Sequence, residues 1–349
     1  MAELTPPLHS LIITHYKLIT NMVLTSTPAD YSSAYDPNNE FRFDGVDPSV
    51  PTEIVFYDGS GAVVGARRYA HRESITTSPQ NFLQRMLNPK PYNTSGCKIV
   101  LANDRQAILS VGYNDGANRT SNIHFTAAQG RVPNPTAFGG YEQWRTISAG
   151  ECDEIAFRLP NGCTLSVECR LNGEQKGVVL CSSAITTSGI YVVTIDADQI
   201  LALSPDVEQF DFVVLMSGGV VGVIHFEVAP APTEGVRLAW LNDEGYISYH
   251  TFRGAPTEQL HTLRSECETP NGTQTLGVES WRESSLRSGY LSTEGVERLS
   301  GIATSPRVWR VTKEHSEPQI LLSHTISTLG SGARQVELTI RPAGKVFRY

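Results

Sequence analysis

The side chains able to do chemistry in this chain are numerous but scattered, and their spacing limits what they can do together. Nine histidines are present. A zinc site shows in sequence as imidazoles, thiolates or carboxylates at i, i+2 on a strand or i, i+4 on a helix. No histidine pair is placed that way, and His225 and His250 each stand in an apolar, strand-like run. His71 is followed by Arg72 and Glu73 with no second histidine nearby, so H-E-x-x-H is absent. The G-x-S-x-G elbow that exposes a nucleophilic serine is absent as well. GSGAR at 330–334 has its serine out of place, in an expected hairpin turn. The six cysteines, Cys97, Cys152, Cys163, Cys169, Cys181 and Cys267, form no C-x-x-C pair. They read as buried free thiols of a reducing compartment, with Cys163 and Cys169 on one face of a strand. The expectation is no catalytic residue, no metal ligand and no cofactor.

Three groups keep alternatives open. Glu266, Glu268, Glu279 and Glu283 cluster near the C-terminal third. Glycoside chemistry would need two carboxylates across a cleft, and a solvated face is the plainer account. YNDGANRT at 113–120 and FDGVDPS at 43–49 offer oxygen ligands, yet neither matches a calcium loop, and the same residues build ordinary turns. Trp144, Trp240, Trp281, Trp309, Tyr246, Tyr249 and Tyr290 could form a sugar-stacking platform. Aromatics also pack well on a pleated surface, so core packing is expected. Sequons occur at Asn93, Asn118 and Asn271.

The elements that must position these residues are strands. The chain has 349 residues, 40% hydrophobic and 18% charged, enough apolar side chain for two or three folded domains. Its net charge of −8 and lack of a basic stripe argue against direct contact with nucleic acid. Glu3, Pro6, Pro7, His9, His15 and Lys17 break up the N-terminal apolar residues, so no secretory signal is read there. No stretch approaches the roughly 20 apolar residues of a membrane-spanning helix, and no membrane insertion is expected.

Short alternating runs between Gly, Asn, Asp and Pro predict hairpins at 52–70, 97–113, 163–183, 210–228 and 236–252, with a last one in 318–342. Glycines 59, 61 and 65 follow a strand, but no helix opens after them, so a dinucleotide loop is disfavoured. Helices are expected over 78–87, capped by Ser78 with Pro79 first; over 196–205, capped by Asp196; and over 292–306, capped by Ser292 or Thr293. The order hairpin, short helix, hairpin recurs, and ITTS occurs at both 75–78 and 185–188. VAPAPTEG at 228–235 reads as a linker. The fold class is therefore all-β, tandem β-sandwich-like domains with short helices: 1–125, 126–230 as a repeat of the first, and 231–349.

Within the last domain, RLAWLNDEGYISYHTF resembles the W-x-N-x-x-G-x-x-x-Y/F hairpin of virion proteins of tailed phages infecting Bacteroidota. LRSGYLSTEGVERLSGIATSPRVWRV at 286–311 resembles another segment of those proteins: a small-residue turn, a short helix, then S-P-x-V-W entering a strand. The hairpin turn is Asp243-Glu244-Gly245 where the family often has Gly-Gly. The resemblance covers 236–311. It implies a structural subunit at the tail tip or baseplate, with no enzyme activity; the absent secretory signal and the free cysteines suit assembly in the host cytoplasm. Its partners would be copies of itself and other virion tail proteins. The alternatives are a carbohydrate-binding or adhesion protein contacting host-surface glycans, and a glycoside-active enzyme with a site in 260–285.

Overall fold

The computed structural model describes residues 22–92, 95–127, 141–174, 176–243, 245–313, 315–328, 334–344 and 347–348. The N-terminal segment read for a signal, the Asn93 sequon and the turn at 330–332 lie outside them. The described residues form an all-β fold of five sheets with three short α-helices.

Alternation builds the first sandwich. Phe41 and Phe43 in strand Phe41–Asp44, and Ile54 and Phe56 in Thr52–Asp58, are buried while their neighbours are more exposed. A three-stranded sheet (Val23–Ser26, Phe41–Asp44, Ser74–Thr77) shares this core with a six-stranded sheet. The latter runs Ser32–Ser33, Ile123–Thr126, Gln106–Tyr113, Thr52–Asp58, Val63–Tyr69, with Asn118–Arg119 beside Gln106–Tyr113. The 52–69 hairpin is held by Asp58, whose carboxylate accepts the backbone N–H groups of Ser60 and Ala62, both at 2.9 Å. Gly65 serves helix Gln80–Met86 and no phosphate: a Cβ there would lie 2.2 Å from the Phe82 ring. Pro79 is the N-cap residue of that helix, one place later than the expected Ser78.

The second sandwich pairs a five-stranded sheet with a three-stranded one. The first runs Tyr141–Ile147, Gly219–Val228, Gln209–Met216, Cys163–Leu171, Val178–Ile185; the second runs Cys152–Leu159, Gly189–Asp196, Ile99–Leu101. This corrects the 97–113 hairpin. Ile99–Leu101 pairs with Gly189–Asp196 of the second sandwich, whereas Gln106–Tyr113 pairs inside the first. A 3-10 turn at Asn103–Arg105 carries the chain from one sandwich to the other, so what looks like a hairpin turn is a crossing.

Both sandwiches have the same strand order. In each, the edge strand (Ser32–Ser33 or Tyr141–Ile147) runs parallel to its neighbour, a further antiparallel strand follows, and a hairpin closes the path. Helices Gln80–Met86 and Ala197–Leu201 each follow a strand of the smaller sheet. The ITTS echo is not part of this likeness: 75–78 overlaps strand Ser74–Thr77, while 185–188 leaves Val178–Ile185.

The C-terminal part is one antiparallel sheet. Its order is Ile247–Phe252, Val236–Leu241, Val308–Val311, Ser316–Thr328, Arg334–Pro342, Gly272–Arg287, Thr257–Thr269, with Phe347–Arg348 beside Gly272–Arg287. Helix Thr293–Thr304 packs on it through Val296, Leu299 and Ile302, and the Ser292 hydroxyl accepts the Gly295 N–H at its start. Strand Val236–Leu241 is buried at every position. Val236, Leu238 and Trp240 meet the helix side, and Ala239 and Leu241 join the core of the first sandwich together with Ile247, Tyr249 and Trp309.

Candidate functional site

Buried charge gathers where the three parts meet, around the residues Glu151-Cys152-Asp153-Glu154. Glu151 precedes strand Cys152–Leu159, and Asp153 and Glu154 open it ahead of apolar Ile155, Ala156 and Phe157; each acid meets an arginine from a different segment. Glu154 and Arg105 of the 3-10 turn form a fully buried ion pair. The Glu154 carboxylate also accepts the Ile247 N–H at 2.7 Å, so it ties the second sandwich to both the first and the C-terminal hairpin. Burial pushes its pKa up, opposed by the Arg105 charge and these donors. Asp153 takes Arg145 at 2.6 Å, and the Arg145 guanidinium lies 5.2 Å from the Tyr246 ring centroid. Glu151 takes Arg237 at 2.8 Å and the Thr251 hydroxyl at 2.6 Å, while Arg237 also donates to the Cys152 carbonyl at 2.7 Å. Such groups are tolerated inside a protein only when paired and hydrogen-bonded. The arrangement fixes parts of the molecule relative to one another.

Two clefts flank this joint. One, of about 600 Å³, is lined by Trp144, Tyr246, Ser248, His250, Tyr290 and Arg298 among others. Trp144 is 55% exposed and stacks on His225, whose imidazole is held by Asp211 at 2.7 Å. Tyr290 is 73% exposed. Burial, then the charges of Arg298, Arg237 and Arg253, push the His250 pKa down to about 3, so that ring is neutral at ordinary pH. The other cleft, about 610 Å³, is lined by Glu151, Asp196, Asp198, Arg237 and Lys313 among others. Lys313 lies 3.0 Å from Asp198.

The second surface is a ribbon. Thr257–Thr269 and Gly272–Arg287 pair along their length. Only at Ser284–Arg287 does the inner strand gain Arg334–Pro342 as a second neighbour, with Phe347–Arg348 beside Glu279 and Ser280. Both faces of the outer half are open, and Leu260 (70%), Leu263 (56%) and Leu276 (70%) are exposed along the ribbon. His261 and Trp281 stack across the ribbon at 5.6 Å, and Glu283 accepts the Trp281 indole N–H at 2.7 Å.

The residues singled out from sequence are dispersed by this fold. Trp240, Trp309, Tyr246 and Tyr249 are core, Trp281 lies on the ribbon, and only Trp144 and Tyr290 come to one open cleft with accessible rings. Glu266 and Glu268 lie on the ribbon face opposite Glu279 and Glu283, by the register of the two strands. The 113–120 segment is a turn in which the Asn114 amide donates to Asn118 and to the Met22 carbonyl, both at 3.1 Å. In 43–49, Asp47 accepts the Ser49 N–H at 2.8 Å. Among the described residues no three His, Cys, Asp or Glu side chains come together to hold an ion. All six cysteines are free, and burial raises the thiols of Cys97 and Cys169 to about 12, which leaves them unreactive. No described helix is long and apolar enough to cross a membrane. The acids of 151–154 were missed as a joint, although three carboxylates just ahead of the apolar run Ile155-Ala156-Phe157 were a visible signal.

No protein-family model matches the chain, and no curated protein matches it. Among solved structures it is similar to a chain of the virion of a native gene transfer agent particle, at 12% identity and TM-score 0.22 over 35% of this chain and 99% of that one. It is similar to the BSP domain of a biofilm-associated protein, at 10% identity and TM-score 0.18 over 60% of this chain and 30% of that one. A third likeness is to fibronectin(III)-like modules of Clostridium thermocellum CbhA, at 10% identity and TM-score 0.17 over 60% and 95%. Scores this low carry no argument about function.

Proposed function

We propose that the chain is a structural subunit of a virion, in the tail complex of a tailed phage, acting through protein contacts and holding no reaction centre. The observation that supports this best is the ribbon. A two-stranded ribbon open on both faces is marginal in water by itself, and apolar side chains exposed along it suit burial against another subunit. It projects from a body whose parts are joined by paired buried charges, which suits a load-transmitting subunit. The sequence resemblance over 236–311 supports a place in the tail, and six free cysteines suit assembly in the host cytoplasm. The test is light scattering on the full chain, alone and mixed with proteins encoded beside its gene. Self-assembly or a defined complex is expected. A chain that stays monomeric at high concentration and binds none of those proteins sinks the reading.

The cleft bearing Trp144 and Tyr290 favours a second reading, contact with host-surface glycans. Glycan-array binding that disappears in Trp144→Ala, with folding intact, would support it; no binding by the wild-type chain would remove it.

A further inference from the structure

The outer strand of the ribbon, Thr257–Thr269, ends the C-terminal sheet, and no other strand pairs with its outer edge among the described residues. Proteins usually blunt such an edge with a bulge, a proline or inward charges, because free N–H and C=O groups template pairing with another chain. Of such devices this strand has charged side chains alone, Glu258, Arg264, Glu266 and Glu268, all exposed. The strand contains no proline, and the irregularity in the pair puts its extra residue, Leu276, on the inner strand, leaving the edge regular over 13 residues.

The charges on this edge select a partner. When two copies of one strand pair antiparallel, residues equally far from the centre face each other, and like charges face to face destabilise the pair. Centres at Thr262 and Leu263 oppose Glu258 to Glu266 or to Glu268. Centres at Arg264 and Glu266 oppose each of those residues to itself, and a centre at Cys267 opposes Glu266 to Glu268. Of the centres that overlap nine or more strand residues (261–265), only His261 and Ser265 remain, and each sets Arg264 against a carboxylate. About His261 that carboxylate is Glu258, which already pairs with Arg282 at 3.2 Å within its own chain. About Ser265 it is Glu266, and neither Arg264 nor Glu266 has an ion pair among the described residues. The Ser265 register also places exposed Leu263 against Cys267, an apolar match.

We propose that Thr257–Thr269 is a self-docking edge. Two copies of the chain join their sheets antiparallel about Ser265, with Arg264 of each facing Glu266 of the other and Leu263 facing Cys267. This rests on the assembly reading above and names the interface and the partner for it.

Cross-linking and charge reversal test the pairing in the full-length chain. Leu263→Cys, oxidised with diamide, is expected to give a band at twice the 38.2 kDa chain mass on a non-reducing gel. Peptide mapping should join position 263 to Cys267, and the band should vanish when Cys267→Ser is added. Arg264→Glu is expected to abolish the non-covalent dimer, and adding Glu266→Arg to restore it. The ribbon is exposed, so these changes spare the cores, and an unchanged thermal midpoint confirms that. A dimer that survives Arg264→Glu, or a cross-link that maps elsewhere, overturns this pairing while leaving an assembly role standing. A monomer that still binds proteins encoded beside its gene does the same. A monomer that binds none of them removes both.

Discussion

Trp240 and Trp144 show how burial separates residues of one type. Trp240 has no exposed surface and sits among Leu238, Phe252, Leu299 and Ile302. Trp240→Ala removes a large buried side chain and should cost about 3–5 kcal/mol of stability, read from denaturant midpoints. His250 gives a pH effect of definite sign. The unfolded side chain titrates near 6.5 and the folded one near 3, so below about pH 6.5 the unfolded chain takes up a proton that the fold excludes. The stability this neutral ring contributes is present above pH 6.5 and is lost as pH falls towards 3. Between pH 7 and pH 5 the loss is at most about 2 kcal/mol. Urea midpoints at the two pH values should differ less in His250→Gln than in the wild type; equal slopes would refute this assignment.

Among elements, helix Thr293–Thr304 and the ribbon contrast in what holds them. The helix has a side-chain cap and three apolar residues on one face of the sheet. Ser292→Ala leaves the Gly295 N–H without its acceptor and should lower stability by about 1 kcal/mol, with the fold unchanged by circular dichroism. The ribbon has neither cap nor core over its outer half. Its backbone amides should therefore exchange with deuterium faster than those of Val236–Leu241, and slow down once an interface covers them.

The whole molecule is organised by Glu151, Asp153 and Glu154. Each carboxylate meets a guanidinium, and Glu154 in particular joins all three parts of the fold. Removing one partner of a buried pair strands the other charge, at about 3–5 kcal/mol. Arg105→Ala should therefore destabilise the chain by that amount. Because the pair spans two sandwiches, it should also split one calorimetric transition into two. A single transition at the wild-type midpoint would mean that the apolar contacts of Ala239, Leu241 and Trp309 with the first sandwich couple the parts without it.

The sequence by itself determined what depends on neighbours along the chain. Alternation specified the 52–69, 163–185, 209–228 and 236–252 hairpins, and Asp196 and Ser292 announced their helices through local hydrogen bonds. It also indicated that Trp240 packs in a core, because Val236, Leu238 and Trp240 share a strand face. Only the tertiary structure decided where distant segments meet. Ile99–Leu101 looks like half of a local hairpin, but its backbone groups pair with Gly189–Asp196, about 90 residues away. Burial of the second face of Val236–Leu241 follows from docking on the first sandwich, which period-2 alternation does not encode. The long ribbon was hidden because its two polar strands lack the apolar alternation of a half-buried sheet. The acids of 151–154 became a joint because Arg105, Arg145 and Arg237 arrive from three separate segments, and charge pairing in a dry interior depends on distance in space.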